Sequence, residues 1–199
     1  MPPRRQTALT TVFVFMLAAC SSSPGFDSVQ AETSISSGPS SPGAAVLSAC
    51  AAADLKLDHG GPISEATGQE SRVLRLSNTS AEPCQLKGYP TIVLADNAGR
   101  QIPFAYKDGG DQMITSEPPT LVTLTPGKAA YMMFNKYRCD LGDKARATSV
   151  TVTAPGETTA LSLSTGVYPN LPYCGPGDPG SVVEISPIEP TVQDLLAAH

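Results

Sequence analysis

The chain of 199 residues is long enough for one folded domain with extensions. Nineteen Pro and 17 Gly residues argue against a mostly helical fold, and only two His residues, His59 and His199, leave little material for acid–base or metal chemistry. The net charge is −5, whereas a nucleic-acid-binding protein needs a clustered basic surface, so we expect no nucleic-acid partner.

Residues 1–19 have the pattern of a secretory signal peptide. Arg4 and Arg5 form a basic start, and the apolar stretch of about 11 residues that follows is too short to cross a bilayer. It ends in Leu17-Ala18-Ala19-Cys20, which resembles the bacterial lipobox. That resemblance implies cleavage before Cys20 and a diacylglycerol on its thiol. A plain signal peptide with an incidental Cys is the alternative.

Two acyl chains on Cys20 would hold the protein on the extracytoplasmic face of the cell membrane, because each buried CH₂ contributes about 0.8 kcal/mol. Residues 20–46 continue as a stretch rich in Ser, Gly and Pro, whose composition predicts a flexible linker between the lipid and a folded body. A poorly ordered terminus without a role is the alternative.

Residues 47–190 alternate short apolar runs with turn signals, which predicts an all-β domain. The clearest runs, at 149–153 and 160–164, place apolar residues at every second position. Turn signals at residues 96–99, 108–111, 125–127 and 154–156 separate the runs. This spacing favours an antiparallel immunoglobulin-like β-sandwich, with a compact barrel as the alternative. Residues 191–199 are assigned to a C-terminal tail with at most one helical turn.

The five Cys residues predict two disulfides. Assigning Cys20 to the lipid leaves an even set, Cys50, Cys84, Cys139 and Cys174, in a compartment that permits disulfides. Four Cys allow three connectivities. We favour Cys50–Cys84 and Cys139–Cys174, because each bond then closes a loop of about 35 residues within one half of the domain. No CxxC or HxxxH spacing is present, so we expect neither a metal site nor a cofactor.

A family resemblance rests on the centre of the chain. The order is a strand, Asn78-Thr79, then Cys84-Gln85-Leu86-Lys87-Gly88-Tyr89-Pro90, a second strand, Asp96 and Gly99. It resembles the domain of unknown function 4232 family, found on exported actinobacterial lipoproteins. The resemblance covers roughly residues 50–185. It implies a sandwich-like extracytoplasmic domain and carries no activity.

Three residues are candidates for binding. Tyr89 in the shared motif is a candidate ligand contact, although a buried ring with a bonded hydroxyl is the favoured interpretation. Lys136 and Arg138 belong to a basic cluster around Cys139 with Lys144 and Arg146. We interpret this cluster as an exposed loop, and contact with an anionic glycan or phosphate is the alternative.

Motifs for catalysis are weak. The chain has no GxSxG, and His59 lies in a turn-like context, where a surface role is favoured over a catalytic base. The pair Asp108 and Asp111 is interpreted as a solvated turn. Met132 and Met133 are expected on opposite faces of a strand, filling the core.

The sequence therefore predicts a monomeric, membrane-anchored lipoprotein outside the cytoplasm that is not an enzyme. Its expected role is to bind an envelope polymer or a protein partner. The alternative is an exported hydrolase that acts on a cell-envelope substrate. A deep pocket joining His59 to an acidic residue and a Ser would favour the hydrolase, since an enzyme needs convergent polar groups in a cleft.

Overall fold

The computed structural model describes residues 47–110, 112–140, 142–164 and 169–198. The predicted signal peptide, Cys20 and the linker lie outside these residues. The described chain contains twelve strands: β1 Leu55–His59, β2 Gln69–Asn78, β3 Cys84–Leu86, β4 Thr91–Ala95, β5 Ala105–Asp108, β6 Val122–Leu124, β7 Ala129–Tyr137, β8 Ala145–Ala147, β9 Ser149–Thr153, β10 Ala160–Ser164, β11 Leu171–Tyr173 and β12 Val182–Ile185. Three short 3-10 helices, Ala52–Asp54, Pro179–Ser181 and Gln193–Leu195, complete the secondary structure.

The strands form several sheets in a sandwich-like arrangement, so the predicted all-β fold class is confirmed. The largest sheet has the order β1-β2-β7-β12-β5, and a three-stranded sheet has the order β10-β9-β4. Two short pairs, β11-β8 and β3-β6, lie beside them. One pairing departs from the antiparallel expectation, because β12 and β5 run parallel.

Strands β2 and β7 form the centre of the largest sheet, with partners in register from Gln69 and Tyr137 to Ser77 and Ala129. Their inward side chains, Leu74 and Leu76 on β2 and Met132 and Phe134 on β7, belong to the main core. The three-stranded sheet contributes Leu94, Val150 and Val152 to the same core. These side chains are fully buried. Alternation along β7 places Met133 on the other face, so the prediction that the two adjacent Met residues point in opposite directions is confirmed.

The outer face of the largest sheet carries a second, smaller cluster. Val73 and Met133 pack there against Met113, Ile114 and Leu195. Leu195 is fully buried, and the backbone N–H of Thr115 donates to its carbonyl oxygen at 2.8 Å. The segment predicted as a C-terminal tail therefore packs against the domain. Sequence reasoning missed this because the segment, although it holds Leu195 and Leu196, is too short for a pattern to show that it is buried.

Both predicted disulfides are confirmed. The Sγ–Sγ distance is 2.01 Å for Cys50–Cys84 and 2.02 Å for Cys139–Cys174. The first bond is reinforced by the backbone, because Ala49 pairs parallel with Gln85, and the Cys50 N–H donates to the Gln85 carbonyl at 3.0 Å. The chain is thus fastened to β3 at the point where the predicted linker ends.

The shared motif between β3 and β4 has a local cause. Gly88 has a φ of 120°, a backbone conformation that side chains with a Cβ disfavour. Its carbonyl accepts the N–H of Ile188 at 3.0 Å, which ties the motif to the segment after β12. Gly at this position therefore allows the turn that directs Tyr89-Pro90 into β4.

None of the helices in the described segments is long and apolar enough to cross a membrane.

Candidate functional site

Lys136 does not lie in an exposed loop, so the predicted placement of the basic cluster is wrong for this residue. Its side chain is fully buried in β7. The ammonium donates to Glu70 Oε2 at 3.0 Å and to the Tyr137 carbonyl at 2.5 Å. Glu70 and Lys136 are cross-strand partners of the β2–β7 pair, and this register brings the charge inside. Lys136 therefore cannot reach an anion at the surface.

Two other members of the basic cluster, Arg138 and Arg146, lie at the surface. Arg138 is exposed just after β7, and its backbone N–H donates to the Gly68 carbonyl at 2.9 Å. The Arg146 guanidinium is bonded to Asp143 Oδ2 at 2.6 Å and to Asn170. No joint anion site of Lys136 and Arg138 is formed.

The burial of Lys136 predicts a change of stability with pH. Desolvation lowers the pKa of its ammonium, and the hydrogen bond that the ammonium donates to Glu70 opposes this only in part. In the unfolded chain the pKa of a lysine is about 10.4. At pH values between the lowered pKa of the folded state and this value, Lys136 is protonated in the unfolded state and neutral in the folded state, so the free energy of unfolding rises with pH. In urea unfolding between pH 7 and 10, the variant Lys136→Met is expected to lose this rise. Parallel pH profiles of wild type and variant would contradict the assignment.

Tyr89 is half-buried next to the end of β5. Its hydroxyl oxygen is 3.9 Å from the position that a Cβ would take on Gly109. The hydroxyl therefore lies beside Gly109, and Tyr89 is less buried than the favoured interpretation expected.

His59 lines a cavity of about 430 Å³ at the outer face of the largest sheet, together with Glu65 and Ser71. His59 is the exposed last residue of β1, paired with Leu74, and does not lie in the predicted turn. The cavity joins a His, a carboxylate and a Ser, so the arrangement expected for a hydrolase is present in composition.

The hydrogen bonds in this cavity are structural. The Ser71 hydroxyl donates to Asn135 Oδ1 at 2.6 Å, and Ser71 is 5% exposed. Glu65 Oε1 accepts from the Ser71 N–H at 2.6 Å and from Arg72 at 3.1 Å. A hydroxyl has one proton to donate, and here it goes to an amide oxygen instead of a base. The geometry is that of a packed polar network and lacks an activated nucleophile.

The network continues into the sheet and was not predicted. Asn135 Nδ2 donates to Gln69 Oε1 at 2.7 Å, and both side chains are fully buried. The sequence carries no signal for it, since Gln69 and Ser71 lie in the first four residues of β2, which are all polar. Their partner, more than 60 residues away, could not be identified from one sequence.

A larger cavity, of about 640 Å³, lies between the residues after β5 and the C-terminal segment; we name it the C-terminal cleft. Its walls combine apolar and acidic residues: Ile114, Thr115, Ser116, Glu117, Thr120, Glu189, Pro190, Gln193, Asp194, Leu196, Ala197 and Ala198. Among the residues that the structure describes, no Lys, Arg or His side chain lines it. The cleft is therefore negative in charge and partly apolar.

Glu189 is the most enclosed carboxylate of the cleft, with the residue 5% exposed. Its backbone is fixed against β7, because its N–H donates to the Tyr131 carbonyl at 2.9 Å and its carbonyl accepts the Tyr131 N–H at 2.8 Å. Oε2 accepts from the Thr120 hydroxyl at 2.9 Å. Within the part of the chain that the structure describes, no Lys or Arg lies at ion-pair distance from Glu117, Glu189 or Asp194.

A metal role finds no support in the geometry. Among residues 47–110, 112–140, 142–164 and 169–198, no three His, Cys, Asp or Glu side chains are placed to hold a metal ion together. The arrangement of the cleft instead suits an organic cation, whose charge needs one carboxylate and whose carbon atoms need apolar walls.

Comparison with known proteins agrees with the motif between β2 and β4. The model of the family described as "Domain of unknown function (DUF4232)" matches residues 50–188. No curated protein and no solved structure matches the chain. Because the match spans from the first Cys of the first disulfide to the segment after β12, and so more than half of the chain, the protein belongs to the DUF4232 family.

Proposed function

We propose that this protein is a lipid-anchored, extracytoplasmic module that binds a partner at the cell envelope and catalyses no reaction. The observation that carries the binding role is the C-terminal cleft, a cavity within the roughly 300–1,000 Å³ of small-molecule sites. A flexible linker of residues 20–46 would let the domain search the space near the membrane.

Support for export comes from the two disulfides, since such bonds persist in oxidising compartments. Support for the anchor is the sequence Leu17-Ala18-Ala19-Cys20 after a short apolar stretch. We propose that the protein is such a lipoprotein of an actinobacterium and that it acts as a monomer.

The anchor predicts a specific labelling result. Cells that produce the protein and are grown with radiolabelled palmitate are expected to yield labelled protein in the membrane fraction, because the thiol of Cys20 carries the acyl chains. The variant Cys20→Ser should lose the label, whereas Ser21→Ala should keep it as the matched control. Label retained in Cys20→Ser, or Cys20 found bonded to another Cys, would overturn the anchor.

A hydrolase is the second candidate, because His59, Glu65 and Ser71 share one cavity. The commitment of the Ser71 hydroxyl to Asn135 argues against it. The assay is hydrolysis of purified cell-wall polymer. If the wild type hydrolyses the polymer, if His59→Ala and Ser71→Ala both lose this activity and if Glu117→Gln keeps it, the protein is a hydrolase and the binding proposal fails.

A further inference from the structure

We propose that the C-terminal cleft binds the side chain of a lysine in a partner peptide, with Glu189 as the residue that receives the ammonium. This inference rests on the proposed binding function and names the chemistry of the partner. It rests on the enclosed carboxylate of Glu189, on the oxygen Oε1 that has no partner among the described residues, and on the walls of the cleft.

The charge of Glu189 is the first step. An ionised carboxylate is costly to bury unless it is paired or fully hydrogen-bonded. Oε2 has the Thr120 hydroxyl, a neutral donor, whereas Oε1 has no hydrogen-bond partner among the described residues. The residue is 95% buried and lines the cleft, so the remaining oxygen faces the cavity. A cation that enters would supply the missing partner.

The hydrogen bond that Glu189 already accepts from Thr120 favours one kind of cation. A guanidinium binds a carboxylate best through two parallel N–H···O bonds and therefore needs both oxygens. At Glu189 the hydroxyl of Thr120 already takes one of the two acceptor sites of Oε2, so a bidentate pair would compete with Thr120 there. An ammonium acts as a point charge and needs only one oxygen, so the geometry favours lysine over arginine.

The walls fit the remainder of a lysine side chain. Ile114, Leu196 and Ala197 provide apolar surface beside the carboxylate. Lysine buries its four-carbon stem along apolar surface while its charged end reaches a polar group. Exposed carboxylates at Glu117 and Asp194 add negative potential at the cleft, which attracts a cation.

The size of the cleft indicates a peptide. A cavity of about 640 Å³ is much larger than one lysine side chain, so residues that flank the lysine also enter. The hydroxyl and amide groups of Thr115, Ser116 and Gln193 line the same walls and can bond a peptide backbone.

Calorimetric titration of the full chain, as purified from the producing cells, tests the inference. The probes are acetyl-Ala-Lys-Ala-amide, the same tripeptide with norleucine, and 1,5-diaminopentane. The lysine peptide is expected to bind at least roughly tenfold more tightly than the norleucine peptide, because a charge-assisted hydrogen bond is lost without the ammonium. It is also expected to bind more tightly than 1,5-diaminopentane, which keeps the ammonium but has no peptide groups for Thr115, Ser116 and Gln193. Raising the salt concentration should weaken the binding.

The variant Glu189→Gln keeps the shape and the bond to Thr120 and removes the charge, so its affinity for the lysine peptide should fall roughly tenfold or more. Glu184→Gln is the matched control, because Glu184 is ion-paired with Lys107 on β12 and β5 outside the cleft, and its affinity should be unchanged. Thermal unfolding checks that each variant is folded. If Glu189→Gln is unfolded, Asp194→Asn, at an exposed position of the cleft, is expected to weaken binding by a smaller factor.

Equal affinity for the lysine and norleucine peptides, equal or tighter binding of 1,5-diaminopentane, or no effect of Glu189→Gln and Asp194→Asn would overturn the inference. The proposed function fails by a different result. Cell-wall polymer bound equally by wild type and Glu189→Gln would refute the lysine site and retain the binding function, whereas hydrolysis of that polymer dependent on Ser71 would refute the binding function itself.

Discussion

The variant Asn78→Asp is expected to lose about 2–4 kcal/mol of unfolding free energy at pH 7. Asn78 ends β2 and is 1% exposed. Its Nδ2 donates to the Glu82 carbonyl at 2.8 Å and to the Leu124 carbonyl at 2.9 Å, while Oδ1 accepts from the Ser80 N–H and hydroxyl. A carboxylate of the same shape would replace Nδ2 by an oxygen that faces the two carbonyl oxygens with no proton to donate. Urea unfolding at fixed pH measures the loss.

The effect should also depend on pH. Burial and the two carbonyls would raise the folded-state pKa of an Asp at position 78, because both disfavour the charged form. A group with a raised folded pKa contributes stability that is lost as pH rises through that pKa, so the deficit against wild type should be larger at pH 7 than at pH 4. Asn97→Asp, at an exposed turn position, is the matched control and should change stability by less than about 0.5 kcal/mol. Equal losses at positions 78 and 97 would show that burial of Asn78 is unimportant.

Asn78 also shows which features a single sequence predicts and which it does not. The sequence order places Asn78-Thr79 directly after a strand, and in the structure β2 ends at Asn78 and a turn follows before β3. That the Asn side chain is buried and connects the turn to β6 depends on Leu124, which lies 46 positions further along the chain. Local pattern identifies the turn, while the tertiary partner determines its energetics.

The same division holds for the strands. Runs such as Ser149–Thr153 and Ala160–Ser164 were predicted because alternate apolar residues pack on one face. Strands β3, β5, β8 and β11 were not, because each has only three or four residues; β5 and β8 also contain charged residues, and β11 contains Pro. Strand β5 exists because β12 pairs with it in parallel from about 75 residues away, which no local pattern encodes.

Charged side chains at the candidate sites could not be placed from sequence. Nothing in the residues beside Glu189 and Lys136 distinguishes a buried charge from an exposed one. Glu189 is enclosed because the segment after β12 pairs with Tyr131, and Lys136 because its register partner is Glu70. The C-terminal cleft itself joins residues 114–120 to residues 189–198, so it exists only after the segment after β12 has packed.

Removal of the Cys50–Cys84 disulfide is expected to have the largest effect on stability. For loops with sequence separations of 34 and 35 residues, chain entropy alone gives each disulfide about 3–4 kcal/mol. If chain entropy were the only contribution, Cys50→Ala/Cys84→Ala and Cys139→Ala/Cys174→Ala would lose equal amounts of unfolding free energy. The environments differ, because Cys50 and Cys84 are both buried in the main core, whereas Cys139 is partly exposed.

Packing should therefore separate the two double variants. Truncating two buried sulfurs of the main core adds the cost of a cavity, of about 1 kcal/mol or more, to the entropic loss. The first variant also releases the backbone pairing of Ala49 with Gln85, which fastens the start of the domain to β3. Urea unfolding of both variants without reductant measures the difference, and wild type with reductant gives the combined loss. A larger loss in Cys139→Ala/Cys174→Ala would contradict this ranking and would locate the critical covalent constraint at the end of β7, beside the buried pair of Lys136 and Glu70.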